Sequence, residues 1–349
     1  MAYGYGTDLG WCKQEAGGPA PECRWPRVWR GIALQGMYAK ETPVTEAERL
    51  TTSCIPRVGR RHYLQLAVAT VACLVAGCRY GAKGTKSAGP VFEPTGFVDS
   101  DNLKIYYESV GDGHPIILVH GWGSSLKHNW VDTGWVEALK ARRLVVTLDV
   151  RGHGESDKPH DQAVYSYARM SRDVLRVMDH LGIAKADFLG YSMGSFMGVS
   201  LLGHARERFT SMILGGIGDE TDQSLAVLPK IVAGLRAADS SRITDAVALG
   251  YRAYARSDQR NDLEALSLSA LQMWPEGLPL KLGGPALAEV DIPILIVNGA
   301  NDHPYIDTVH RLVDAIPGAR LVVIPDRDHL GVVTDQRFKD SVLAFLDSR

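Results

Sequence analysis

Five short, almost wholly apolar runs recur along the chain from residue 115 onward: "PIILVHG" (115–121), "RLVVTLDV" (143–150), "ADFLGYS" (186–192), "FTSMILGG" (209–216) and "IPILIVNG" (292–299). Each is too short for a helix that must bury one stripe. Each also lacks the apolar–polar alternation of a strand with one wet face. Such runs suit central strands covered on both sides. Between them lie segments with apolar residues at helical spacing, among them "YSYARMSRDVLRVMDHL" (165–181), which Gly182 terminates. Strand and helix in alternation predict an α/β fold, a mostly parallel central sheet with helices on both faces. "LKIYYESV" (103–110) precedes this series, and "ARLVVIPD" (319–326) and a helix over 335–347 close it. A helix is also expected over 305–316.

The alternation lapses between 217 and 285. "SLAVLPKIVAGL", "RITDAVALGYRAYA" and "DLEALSLSALQMW" carry helical patterns there, and no strand intervenes. A segment so long and so patterned is not a plain loop. It predicts a helical cap inserted between two strands of a core formed by 93–216 and 286–349.

With 45% hydrophobic and 22% charged residues the chain has the composition of a globular protein, and its net charge of −2 gives no sign of a nucleic-acid partner. All five cysteines lie at or before Cys78, so the body depends on neither a disulfide nor a thiolate metal site. Residues 1–56 show no sustained period and are expected to be disordered or absent from the mature protein. Residues 57–78 place Arg57, Arg60 and Arg61 before an apolar run (66–77) too short to span a membrane, which is the layout of a secretory signal. "VAGC" (75–78) resembles a bacterial lipobox and "RRHYLQ" (60–65) the twin-arginine export pattern. Export with a lipid anchor at Cys78 follows, with translation starting near Val58 and residues 79–92 as a tether. The alternative is a buried or peripheral helix over 63–76 in a cytoplasmic protein.

In an open α/β sheet, chemistry gathers beyond the C-terminal ends of the strands. Ser192, in "GYSMGS" (190–195), stands between a strand and a helix. A serine hydroxyl needs a base to take its proton as it attacks. His329, after "ARLVVIPD", is the candidate base, and Asp302, after "IPILIVNG", the candidate acid that orients it. Asp326 and Asp328 compete for the acid's role, but Asp328 adjoins His329 and Asp302 occupies a separate strand end. Gly190 and Gly194 relieve crowding where the strand turns into the helix. The backbone N–H groups of Met193 and Trp122 are the candidate oxyanion donors, a kind of contact worth roughly 3 kcal/mol in the transition state. His120 is read as structural, Asp149, Arg151 and His153 as a loop-bracing network, and His303 as a wall or surface residue.

"HGWGSS" (120–125), "DVRGHGESDKP" (149–159), "GYSMGS" (190–195), "NGANDHPY" (298–305) and "DRDHL" (326–330) occur in an order that resembles the α/β-hydrolase superfamily, particularly its capped esterase-like members. The resemblance covers residues 95–349. It implies Ser192 as nucleophile, Asp302 as acid and His329 as base, with Trp122 and Met193 donating to the oxyanion and no metal or organic cofactor. The implied reaction is hydrolysis of a small carboxylic ester through an acyl-enzyme. Dehalogenases and epoxide hydrolases of this fold carry an aspartate where Ser192 stands, and the lipase-type "HGGG" block is replaced by "HGWG". Two alternatives remain open. One is a C–C bond hydrolase acting on a vinylogous diketone acid, for which Lys230, Arg236, Arg242, Arg252 and Arg256 of the cap are candidate carboxylate partners. The other is a ligand sensor that turns over slowly or not at all. Leu225, Leu228, Ile231, Met273 and Trp274 would either line an acyl pocket or pack against the sheet.

Overall fold

The computed structural model describes residues 94–219, 222–276 and 279–349. The expected signal and lipobox (57–78), the tether (79–92) and residues 1–56 lie outside the described residues. Eight strands form one sheet: β1 (Thr95–Ser100), β2 (Leu103–Val110), β3 (His114–Val119), β4 (Arg143–Leu148), β5 (Ala186–Tyr191), β6 (Phe209–Gly215), β7 (Ile294–Gly299) and β8 (Arg320–Ile324). Their spatial order is β1-β2-β4-β3-β5-β6-β7-β8. The pairs β1–β2 and β2–β4 are antiparallel and the rest parallel. The order reverses around β3, so β3 and β5 are neighbours and the loops leaving them diverge beside one crevice.

The burial of the strands follows from their composition. Every residue of β5 and β7 is buried, and so are the last four residues of β3 and of β4. Alternation sends Ile116 and Leu118 of β3 into a cluster with Leu189, Val297, Trp135 and Phe338. Trp135 belongs to α1 (Trp135–Leu139), and the interposed side of the sheet is served by α2 (Tyr167–His180) and α3 (Met193–His204). α3 is buried over ten consecutive residues, Met193 to Leu202, so it is a core helix rather than an amphipathic surface one.

The segment between β6 and β7 holds α4 (Asp222–Arg236), α5 (Ala246–Ala255), α6 (Leu263–Met273) and the short α7 (Pro279–Gly283). Asp245 and Asp262 cap α5 and α6 by accepting the first free N–H groups of each helix. α4 packs on α5 and α6, whereas α7 and the turn over Gly284–Glu289 pack against α3. The last part of the segment expected as the cap (217–285), α7, thus lies against α3. α8 (Tyr305–Ala315), α9 (His329–Val332) and α10 (Gln336–Asp347) complete the fold, and α10 packs on β7 and β8. β1 is the strand that the hydrophobic pattern did not announce: it is an edge strand with half of its residues exposed, Phe97 among them. Among the described residues no helix is long and apolar enough to cross a membrane.

Candidate active site

Ser192 occupies a sharp turn between β5 and α3, with φ 51° and ψ −116°. A side chain in that region costs of order 1–3 kcal/mol and persists only where the surroundings hold it. Here the Ser192 N–H donates to the Gly215 carbonyl at 2.8 Å, and the Ser192 carbonyl accepts from Ser195 and Phe196 at 2.7 and 3.1 Å. The flanking glycines are required by space. A Cβ on Gly190 would come within 2.5 Å of the Gly194 backbone, and one on Gly194 within 2.0 Å of the Val119 carbonyl oxygen.

The three residues expected to cooperate meet. His329 Nε2 lies 3.0 Å from Ser192 Oγ, and His329 Nδ1 lies 2.9 Å from Asp302 Oδ1. The carboxylate can only accept, so Nδ1 carries the proton and Nε2 is left to accept from the serine hydroxyl. Asp302 is fully buried, while the His329 side chain is 30% exposed. Two strand ends are laced together to bring this about: the Asn301 N–H donates to Arg327 O at 2.8 Å and the Ala300 N–H to Ile324 O at 2.9 Å. A Cβ on Gly299 would collide with Arg327 O at 2.1 Å. The rival carboxylate, Asp328, instead accepts the Gly331 N–H at 2.8 Å and caps α9, and Asp326 is exposed.

The Gly121 backbone lies against the serine, since a Cβ there would sit 3.4 Å from Ser192 Cβ. A turn closed by the Ser124 N–H on Gly121 O (3.2 Å) follows, and Gly123 holds φ 74° within it. Trp122, the second residue of that turn, is nearly buried. Its indole points into the insertion, where Nε1 donates to Ser269 Oγ at 3.0 Å. The ring meets Trp274 edge-on at 5.3 Å and Tyr251 at 5.9 Å. Met193 opens α3, so its N–H stands at the positive end of the helix beside Ser192.

His120 and His153 are fully buried behind this turn. The Val150 N–H donates to His120 Nε2 at 3.0 Å, so Nδ1 is the protonated nitrogen and donates to Gly121 O at 2.8 Å. Burial pushes His120 down to about 4 and His153 to about 3, with His120 adding to the second shift. Both rings are held neutral. Asp149 takes the Leu126 and Glu155 N–H groups at 2.7 and 2.8 Å, and Arg151 is fixed on Asp173 by two bonds. His303 is exposed and pairs with Asp307 at 2.8 Å.

Several neighbours escaped the motif reading. The Tyr191 hydroxyl donates to the His329 carbonyl, and the Tyr305 ring lies 5.1 Å from the His329 ring. Tyr191 precedes the nucleophile and Tyr305 ends "NGANDHPY", so both stood within quoted motifs; only their direction was hidden. Within the insertion, Lys230 pairs with Asp245 (3.0 Å), Arg236 grips Glu264, and Arg252 donates to the Gly234 and Leu235 carbonyls at 2.8 Å. These three cations brace helix against helix. Leu228, Ile231 and Met273 are buried and Leu225 and Trp274 half-buried. Two surface depressions, of about 460 and 420 Å³, contain none of the triad residues.

Residues 114–274 match the family defined by the alpha/beta hydrolase fold. The chain is 27% identical to a hydrolase from Pseudomonas aeruginosa PA01, with a TM-score of 0.59 over 72% of this chain and 98% of that one. It is 28% identical to the 2-hydroxy-6-oxononadienedioate/2-hydroxy-6-oxononatrienedioate hydrolase of Escherichia coli, over 65% of this chain and 85% of the relative. It is 29% identical, over 67% of its length, to the dihydrolipoyllysine-residue acetyltransferase component of the acetoin cleaving system of Cupriavidus necator, of which it spans 64%. It spans 30% of the corresponding Pseudomonas putida protein. This sheet and these matches give the chain the alpha/beta hydrolase fold.

Proposed function

We propose that the chain is a serine hydrolase that cleaves a small carboxylic ester through an acyl-enzyme on Ser192. The observation that carries this reading is the relay Asp302 Oδ1, His329, Ser192 Oγ, with contacts of 2.9 and 3.0 Å. His329 removes the hydroxyl proton as Ser192 attacks the carbonyl, and buried Asp302 stabilises the imidazolium that forms. The Met193 and Trp122 N–H groups hold the oxyanion. The imidazolium protonates the leaving alcohol, and the same histidine then draws a proton from the water that cleaves the acyl-enzyme. No step calls for a metal or an organic cofactor.

A second reading, C–C bond hydrolysis of a vinylogous diketone acid, draws on the 28% identity to a relative named for that class of substrate. The bracing roles of Lys230, Arg236 and Arg252 count against it, because those cations already have partners within the insertion. A turnover screen across short-chain p-nitrophenyl esters, lactones and a vinylogous diketone acid decides the matter. Ester turnover that Ser192→Ala abolishes is expected. Turnover confined to the diketone acid would favour the second reading, and ligand saturation with negligible kcat on every substrate would make the protein a sensor. Export and lipid anchoring at Cys78 belong to the same proposal, and the mass of the mature N-terminal peptide tests them: an unlipidated peptide beginning at Met1 would overturn that part.

A further inference from the structure

The turn that carries the Trp122 N–H is gripped residue by residue from the insertion. Trp122 Nε1 donates to Ser269 Oγ at 3.0 Å. The Gly123 carbonyl accepts from Asn261 Nδ2 at 2.8 Å, and the Tyr254 ring lies 3.0 Å from where a Gly123 Cβ would stand. Ser125 Oγ accepts from Arg260 Nη2 at 3.1 Å. All four partners lie between Tyr254 and Ser269, at the end of α5, the connecting loop and α6. The body holds the same turn chiefly at its beginning, through Asn129 and His120 on Gly121. The Gly121–Trp122 peptide, which carries the donor N–H, is held at its carbonyl by His120 and the Ser124 N–H, and from the Trp122 side chain onward the turn is held by the insertion.

Asn261 is the centre of this grip. Its Nδ2 donates both to Gly123 O and to Ala255 O (2.9 Å), two groups that can only accept, so the orientation of the amide is unambiguous. It therefore ties the turn directly to the last residue of α5. Gly123, with its positive φ, contributes no side chain to stiffen the turn. Ser269 is equally committed: its hydroxyl donates to Leu266 O at 2.8 Å and accepts the indole N–H.

We infer that Asn261 and Ser269 are positioning residues that aim the Trp122 N–H at the developing oxyanion, so the placement of the α5–α6 segment governs the rate of acyl transfer as well as access to the site. Oxyanion stabilisation is sensitive to sub-ångström placement of its donors. Loosening the grip lowers kcat and leaves ground-state binding, and hence KM, nearly intact. A segment that only walls the pocket would do the reverse.

The inference rests on the acyl-transfer reading, and the test separates the two. The second-order rate of Ser192 labelling by a fluorophosphonate is measured for the full chain, with kcat and KM on a short p-nitrophenyl ester alongside. Phosphonylation needs the same nucleophile, base and oxyanion donors, so it reports even where the natural substrate is unknown. Asn261→Ala and Ser269→Ala are expected to slow labelling and kcat by about tenfold each with KM within about twofold. Asn261→Asp, which keeps the shape but sets an acceptor against the Gly123 carbonyl, is expected to be no better than Asn261→Ala. Arg142→Ala, which cuts an exposed ion pair with Asp347 on the body away from the turn, is expected to label at the wild-type rate. Melting temperatures confirm that the rates compare folded protein. Wild-type rates in both variants, or a raised KM with kcat unchanged, would overturn the inference while leaving the nucleophile in place. An unlabelled wild-type protein would instead overturn the acyl-transfer reading and the inference with it.

Discussion

Two carboxylates, Asp187 and Asp302, are both inaccessible to solvent, one at each end of the central sheet. Asp187 stands at the N-terminal end of β5 and is saturated. It accepts from Ser211 and Thr210 at 2.7 Å and from Arg349 at 2.8 Å, and Arg143 pairs with it as well. Burial pushes its pKa up, yet these donors outweigh burial and hold it below the usual carboxylate range. Asp302 stands beyond the C-terminal end of β7. It gives Oδ1 to His329, and Oδ2 has no hydrogen-bond partner among the described residues. A saturated carboxylate fixes structure. One with a single partner directs its field at that partner, and the partner here reaches a serine hydroxyl.

That contrast can be broken by substitution at either end. Asp302→Asn should lower kcat by about 10⁴-fold, because the amide favours the wrong tautomer of His329, while the melting temperature changes little. Steady-state kinetics beside calorimetry checks this, and an active Asp302→Asn enzyme would put the two aspartates in the same class. Asp187→Ala should do the opposite. It leaves Arg143 and Arg349 without their shared anion and should cost about 3–5 kcal/mol of stability, read by urea unfolding, with kcat of the folded fraction unchanged. A loss of activity without a loss of stability would contradict the structural role assigned to the N-terminal end.

Acid sharpens the same distinction on the histidines. His120 and His153 are held neutral in the fold, near 4 and 3, against an ordinary value of 6.5. Below pH 6.5 the unfolded chain binds protons that the folded chain refuses. Stability is therefore complete above that pH and declines as the pH falls toward 4, by up to about 1.4 kcal/mol per pH unit for each histidine. Unfolding free energies from pH 7 to 4.5 should trace this slope, and His120→Asn should flatten it. A flat profile in the wild-type protein would mean that these rings are not kept neutral by the fold.

Much of this organisation was legible in the sequence, and for a common reason. The strands flanking the site are short apolar runs, and a fully buried run announces both itself and its end. Ser192 and Asp302 each follow such an end, and His329 follows β8, an edge strand with only Ile324 buried whose apolar residues still marked it, so their convergence could be anticipated from order alone. β1 was not legible, since an edge strand reading "TGFVDS" leaves Phe97 exposed and lacks the apolar signal. The grip on the oxyanion turn was invisible as well. Asn261 lies 138 positions from Gly123 and Ser269 lies 147 from Trp122, and neither pair carries a local pattern. The direction of the Trp122 indole depends on the helices packed above it, which no local spacing encodes. His120 shows the intermediate case: the turn marked it as structural, but its tautomer required knowing that the Val150 N–H faces it.

The central claim is that Ser192 becomes covalently acylated, and the most direct measurement is intact and peptide mass spectrometry of the protein quenched in acid during turnover of a short-chain p-nitrophenyl ester. The account predicts an added acyl mass on the peptide containing Ser192, absent from Ser192→Ala and strongly reduced in His329→Ala, which lacks the base that takes the serine proton. An adduct on another residue, or turnover by Ser192→Ala at the wild-type rate, would contradict it.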